Sequence, residues 1–416
     1  MSDWQPDDNF LIMRNLLSAV LIISIAIWIS SSSAPNKKIS EKKVVTGAEQ
    51  VDQYLHLLKG KRIAVVANPT TIIGKKHLVD SLKILGVNIV KVFGPEHGFR
   101  GNASAGAHVD DETDAITGIP IISLYGKKNK PTKQDLADVD MIVYDLQDVG
   151  VRFYTNINAL ARLMEVCHEN GKQLLILDRP NPNGYLVDGP ILDMQFKSAI
   201  GMFPIPMSHG LTVAEFAQMA NGEGWLTNKV KCGLKIIKVR NYTHDTPYTL
   251  PVSPSPNLNT QQAVLLYPST CMFEGTYLNH GRGTLFPFTV FGSPELKGIY
   301  KFSYTPTSIK GMAETPLHMD QICYGIDLRD YDVDKLRKSG KINLQWIIEL
   351  YNAYPYKEKF FDSKLSKEMN TIEQQIGVGT FRQQIASGTP EAEIRASWEP
   401  GLGAYKEMRE KYLLYK

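Results

Sequence analysis

From residue 61 onward the chain alternates short runs of branched apolar residues with amphipathic segments. "RIAVVAN" (62–68), "VNIVKVFG" (87–94), "IPIISLYG" (119–126), "VDMIVYDL" (139–146) and "KQLLILDRP" (172–180) are apolar continuously rather than at every second position. That is the pattern of strands covered on both faces, as in a parallel sheet. Helical patterns lie between them. "KKHLVDSLKILG" closes at Gly86, "TKQDLADV" is short and acidic, and "NINALARLMEVCHENG" is amphipathic with Gly171 at its end. Strand and helix in repeated order predict an open α/β sheet, mostly parallel, with right-handed crossovers.

"HGLTVAEFAQMANGEGWL" adds a helix opened by a capping box of Thr212 and Glu215 and ending near 221–224, and "CGLKIIKVRNY" adds another strand. The prolines of "LPVSPSPNLNT" predict an extended crossing, which places a domain boundary near residue 260. Beyond it, "FEGTYLNHGRGTLFPFTVFGSP" reads as an irregular cleft lip. "KINLQWIIELYNAYP" and "YKEMREKYLLY" read as helices of a smaller α+β domain. The expected organisation is therefore a sheet domain over 44–260 and an auxiliary domain over 261–416, with a cleft between them.

The first 34 residues belong to neither. "LLSAVLIISIAIWI" (16–29) is uncharged, follows Arg14 and precedes "SSSSAPNKK", the layout of a secretory signal with a cleavage site at 32–34. Three aspartates precede Met13, so Met13 is the expected start of a normal basic leader. An uncleaved membrane anchor is the other reading, because the run is only slightly short of a span. No Cys follows it to carry a lipid. Either reading places the protein in the periplasm, secreted, or on the outer side of the inner membrane.

In open α/β sheets ligands bind beyond the carboxyl ends of the strands. The polar groups that follow these strands are "NPTT" from Asn68, "GPEHGFRG" from Gly94, "DLQDVGVRFYT" from Asp145 and "DRPNPNG" from Asp178. Each has an ordinary explanation in isolation, as turn chemistry or a cap. Together they predict one site, with His209 on a turn facing it and Glu274 and Arg282 contributed by the second domain.

Composition narrows the chemistry. Lys and Arg number 46 against 43 Asp and Glu, so no strongly signed field marks a nucleic-acid binder. Cys167, Cys232, Cys271 and Cys323 have no CxxC spacing and read as buried thiols, with one disulfide open to them in an oxidising compartment. None of the nine His falls in a zinc-ligand spacing. "NPTTIIGKK" lacks the first Gly and the hydroxyl residue of a phosphate loop, and no GxGxxG follows a strand. No cofactor or metal is expected. Glu96, Asp148, Asp178 and Glu274 supply carboxyl pairs of the kind glycosidic cleavage uses. The apolar surround of Phe93, Phe99, Phe153 and Tyr154 would raise one carboxyl pKa. Arg100, Arg152, Arg179 and Arg282 exceed the needs of a neutral sugar and point to an anionic ligand.

"FGPEHGFRG", "YDLQDVGVRFYTNI", "LDRPNPNG", "VDGP", "FPIPMSHGLTVAE", "PSPNL", "YPSTCMFEGT" and "GRGT" occur in order along nearly the whole chain. In them the sequence resembles the exo-β-N-acetylmuramidase (NamZ-type) family, long catalogued as a domain of unknown function. The resemblance implies a Rossmann-like domain followed by a smaller one, with the active site between them. It also implies a glycoside hydrolase that releases terminal N-acetylmuramic acid from the non-reducing ends of peptidoglycan fragments. It carries a catalytic glutamate onto Glu96 with His97 beside it, leaves Asp148 and Glu274 as candidates for a second catalytic group, and explains the arginine excess by the lactyl carboxylate of the substrate. Arg100, Arg152, Tyr154, Asp178, Arg179, Asn181, His209, Asn257 and Arg282 are the expected substrate contacts. A periplasmic solute-binding protein for anionic amino sugars would share the two-domain cleft. A Rossmann oxidoreductase would need the missing Gly fingerprint.

Overall fold

The apolar runs form one seven-stranded sheet. In the computed structural model, which describes residues 42–95, 98–100, 112–126, 128–365 and 371–416, its strands are β1 (Ile63–Val66), β2 (Ile89–Gly94), β3 (Glu112–Thr113), β4 (Pro120–Ser123), β5 (Met141–Tyr144), β6 (Gln173–Leu177) and β7 (Leu234–Ile237). The expected leader or anchor at 1–34 lies outside the described residues. The strand order is β7-β6-β5-β1-β2-β4-β3, and every pairing is parallel except the short edge strand β3 against β4. Strands after β1 are added on one side and strands after β5 on the other, so the switch point lies between these two.

Both faces of the sheet are dry. Ala64 and Val66 of β1 join Ile142 and Tyr144 of β5 in one core, while Ile63 and Val65 join Met141 and Val143 in the other. Alternation along each strand sends consecutive side chains to opposite faces, so a run covered on both sides must be apolar throughout. Helices α1 (Val51–Leu58) and α2 (Leu78–Ile84) cover the second face. Helices α3 (Asn156–Glu169) and α4 (Val213–Gly222) cover the first. The capping box of α4 forms as its sequence predicts, with the Thr212 side chain accepting from Glu215 N and Glu215 accepting from Thr212 N.

Two local expectations are corrected. "TKQDLADV" forms consecutive turns and not a helix. Thr132 and Asp135 exchange the hydrogen bonds of a helix start, but β5 begins at Met141 and leaves too little chain to propagate one. The region read as an irregular lip contains a strand, β8 (Val290–Ser293). It pairs antiparallel with β10 (Cys323–Asp327), which also pairs with β9 (Phe302–Tyr304). This small sheet packs in a third core with helices α5 (Gln261–Thr270), α6 (Val333–Ser339), α7 (Gln345–Ala353), α8 (Ile372–Ile376) and α9 (Phe381–Ala386).

Residues Val44–Lys416 pack as one body. Its last helix, α10 (Glu391–Glu410), is far longer than the C-terminal run suggests and passes through Pro400. It returns to the large sheet, where the Tyr405 hydroxyl donates to His209 O at 2.8 Å and Arg409 donates to Gly210 O. The terminus then closes on the ends of β6 and β7. Tyr415 donates to Asp178 Oδ2 at 2.5 Å and accepts from Val239 N at 2.9 Å. The four cysteines are buried and unbridged.

Candidate active site

The loops beyond the strand ends meet, as the sheet topology requires, but several of their polar groups are consumed in holding one another. Thr71 Oγ1 donates to Asp145 O at 2.5 Å, and Gln147 N donates to Thr70 Oγ1. Arg179 grips both oxygens of Asp145 at 2.6 and 2.8 Å, with side chains 2% and 0% exposed. Buried ion pairs of this kind are costly to break, because either partner alone is left charged in a dry place. Arg179 is thus a strut of the switch point.

Beside this lattice lies a cavity of about 430 Å³. It opens over the ends of β1, β2 and β4, where Asn68, Pro95 and Tyr125 line it. One wall is helix α3. Thr155, Asn156, Ala159 and Arg162 line the cavity at the spacing that puts residues on one helix face, while Leu160, Leu163 and Met164 enter the core. The opposite wall comes from the second domain, through Tyr267, Glu274, Arg282 and Phe288. Phe153 and Tyr154 complete an aromatic surround, and Tyr267 meets Phe288 edge-on with ring centroids 4.8 Å apart.

Glu274 is the carboxylate among the described residues of this wall. Its Oε1 accepts from Arg282 Nη2 at 2.6 Å, and its Oε2 accepts from Gln375 Nε2 at 3.3 Å. Burial pushes its pKa up, but the Arg282 guanidinium, joined by His280 and the Gln375 hydrogen bond, outweighs burial and holds the carboxyl below its usual range. Arg282 is itself oriented by donating from Nε to His280 Nε2 at 3.0 Å. Burial lowers the His280 pKa to about 4, so the ring is a neutral acceptor there. The product is a carboxylate fixed in its ionised form and aimed into an aromatic cavity.

The remaining expected site residues divide. Tyr154 and Asn257 line the cavity with Glu274 and Arg282. Tyr154 donates to Pro254 O at 2.6 Å, and Asn257 donates to Met312 O while its Oδ1 has no partner. Glu96 and His97 lie outside the described residues, although Pro95, directly before them, is part of the wall. Arg100 does not reach the cavity lining; it bridges Asp80 and Asp114, each at 2.9 Å. Arg152 is 1% exposed and donates to the carbonyls of Pro190, Ile205, Gln375 and Ile376, which ties the loop after β5 to α8. Burial lowers its pKa to about 9. A Cβ on Gly377, whose φ is +96°, would fall 2.8 Å from its Nη2, so the arginine needs that glycine.

Asp178, fully buried, accepts from Ala214 N at the start of α4 and from Tyr415. Asn181 holds Leu211 O and Asn183 N. His209 and Asp148 face each other at 3.6 Å, 0% and 3% exposed and away from the cavity lining. Asp178 and Asn181 build the frame, because a polar group at a buried strand end must be paired before it can serve a ligand, whereas Asp148 Oδ1 and His209 Nε2 are buried without a hydrogen-bond partner. Asn68, which opens the "NPTT" loop expected at the site, also lines the cavity; Asn156 and Arg162 line it without having been singled out. A signal for Arg162 was present in its spacing, since it shares a helix face with Thr155 and Ala159.

A family profile described as "Exo-beta-N-acetylmuramidase NamZ, N-terminal" matches residues 63–262, and its C-terminal counterpart matches 265–415. The chain is 35% identical over 412 residues to the peptidoglycan β-N-acetylmuramidase NamZ of Bacillus subtilis (strain 168), covering 93% of this chain and 95% of that protein. Two crystal structures of DUF1343 family proteins from Bacteroides fragilis NCTC 9343 are similar in fold. One has a TM-score of 0.82 at 43% identity and the other 0.74 at 26%; each comparison covers 90% of this chain and 99% of the other.

Proposed function

From the premise that this chain belongs to the exo-β-N-acetylmuramidase NamZ family, we propose that it is a glycoside hydrolase of peptidoglycan turnover. It releases terminal N-acetylmuramic acid from the non-reducing ends of peptidoglycan fragments. The observation that carries the reading is Glu274, an ionised carboxylate on the wall of a sugar-sized aromatic cavity. At about 430 Å³ the space sits toward the small end of ligand pockets, roughly 300–1,000 Å³. That suits one terminal sugar and part of the next better than a threaded polymer.

Cleavage of the glycosidic bond takes a carboxylic acid that protonates the departing oxygen and a second carboxylate across the sugar. Glu274, held ionised by Arg282, is suited to the second role, as nucleophile or as base toward water. Glu96, which follows Pro95 at the rim, is assigned the first. The aromatic surround of Phe153, Tyr154, Tyr267 and Phe288 excludes water from the ring and strengthens these charges. His97 is assigned to assist Glu96, its neighbour in sequence, and Asn257 offers an unpaired acceptor for a sugar donor.

The test is product analysis on muramyl-terminated saccharides. Free N-acetylmuramic acid should appear from the first minutes, with the chain shortened from its non-reducing end only. Internal fragments, or no release at all, would count against the reading. Export is part of the same proposal, since the substrate lies outside the cytoplasmic membrane. The mature protein should carry a new N-terminus near Pro35, and an intact cytoplasmic chain by mass spectrometry would contradict it.

A further inference from the structure

Among its described residues the cavity wall carries three charged side chains, Glu274, Arg282 and Arg162. Two of them neutralise each other at 2.6 Å. The third does not have a carboxylate. Arg162, half-buried on the second turn of α3, donates from Nη2 to the Met202 sulfur at 3.2 Å, and a thioether is a weak acceptor that leaves the charge uncompensated. Among the described residues the wall therefore carries one positive charge more than negative. Helix α3 adds to it. Its N-terminal residues Thr155 and Asn156 line the same space, and Thr155 makes no side-chain capping bond, so the positive end of a fourteen-residue helix also faces the cavity.

We infer that Arg162 is the guanidinium that receives the carboxylate of the bound terminal sugar. It thereby makes the cavity selective for a muramic acid residue over the uncharged glucosamine residue, an inference that rests on the muramidase reading above. A guanidinium matches a carboxylate with two parallel N–H donors, and the weakly held thioether contact is cheap to exchange for it. Arg100, Arg152 and Arg179 cannot take this role, because each is already bound to carboxylates or carbonyls outside the cavity. Arg282 cannot leave Glu274 without unfixing the carboxylate that the reaction needs.

The experiment compares kcat/KM for an aryl β-N-acetylmuraminide and for its lactyl methyl ester, which differ in one negative charge. Wild-type enzyme should prefer the free acid at least about tenfold, the low end of what close charge pairs contribute. Arg162→Met should bring the ratio toward one, and Arg162→Lys, which keeps the charge and loses the fork, should fall between. Melting temperature checks that the variants are folded. A folded Arg162→Met enzyme with the wild-type ratio overturns the inference. Equal rates on acid and ester by wild-type enzyme overturn it as well, whether or not the variants fold. Failure of wild-type enzyme to cleave either substrate refutes the muramidase reading instead, so the two failures are distinct.

Discussion

Arg282 Nη2 lies 2.6 Å from Glu274 Oε1, and this contact sets the charge of the carboxylate that the second domain brings to the cavity. Removing the carboxylate and removing its partner should have different signatures. Glu274→Gln is expected to lower kcat by about two to four orders of magnitude, the range for a lost acid–base group, with substrate affinity retained. Arg282→Met leaves the carboxylate buried with its main support gone. Its pKa, held below the usual range in the wild type, should rise, so the acid limb of the pH–kcat/KM profile should move to higher pH. An unmoved acid limb in a folded Arg282→Met enzyme would remove Glu274 from the pH dependence.

Arg152 should behave as a structural residue. Its guanidinium joins the loop after β5 to the carbonyls of Gln375 and Ile376. Arg152→Ala would strand the buried carbonyls of Pro190, Gln375 and Ile376, each costing about 1–3 kcal/mol if left dry, while Ile205 O would keep its bond from Leu192 N. A large loss of melting temperature is expected, with KM near wild type in whatever folds. A stable variant with a greatly raised KM would instead place Arg152 at the substrate.

The tail of the chain makes stability fall with rising pH. Glu215 Oε1 accepts from Leu414 N at 2.7 Å and faces His244 Nε2 at 3.1 Å. Burial raises the Glu215 pKa to about 8 and lowers that of His244 to about 4, so the two share one proton as a neutral pair. The unfolded chain releases the glutamate proton near pH 4.3, whereas the folded chain keeps it. More protons bound in the folded state means that stability is lost as pH climbs toward about 8. His244 has the opposite sign, costing stability as pH falls below about 6.5, where the unfolded imidazole gains a proton that the folded one refuses. Melting temperature should therefore peak in mildly acidic solution. Glu215→Gln, which still satisfies the capping box, should flatten the alkaline side and leave stability rising with pH up to about 6.5 through His244 alone. An unchanged alkaline slope would show that Glu215 is ionised in the fold.

The sheet was readable because a strand covered on both faces has no freedom in its composition: "RIAVVAN" and "VDMIVYDL" can hardly be anything else at that length. The edge strand Glu112–Thr113 and the small sheet of the second domain were not, since two exposed residues or a Gly-rich strand leave no period to detect. The candidate site was half readable. Glu274, Arg282, Tyr154 and Asn257 came to the cavity, but Arg179, Arg152 and Asp178 belong to the frame. Sequence places a polar residue at a strand end without saying whether a neighbour or a ligand satisfies it. Asp145 decided the matter for Arg179, and Tyr415, 237 positions away from Asp178 in sequence, decided it for the aspartate.

The acid itself gives the most discriminating experiment. Strand β2 ends at Gly94, Pro95 lines the cavity, and the backbone resumes in a left-handed turn at Gly98, with φ of +74°. Glu96 lies between them in sequence, outside the described residues, and as general acid it would deliver a proton to the departing oxygen. Glu96→Gln keeps size and polarity but has no proton to give. Turnover of a muramyl-glucosamine disaccharide should fall by about two to four orders of magnitude. An activated aryl muraminide has a leaving group that departs as a stable anion and needs little protonation, so on it the same variant should lose far less. A glutamate that only held the loop would produce a less stable protein and an equal loss on both substrates. Near wild-type turnover of the disaccharide by a stable Glu96→Gln enzyme would exclude Glu96 as the acid and leave Glu274 as the next candidate.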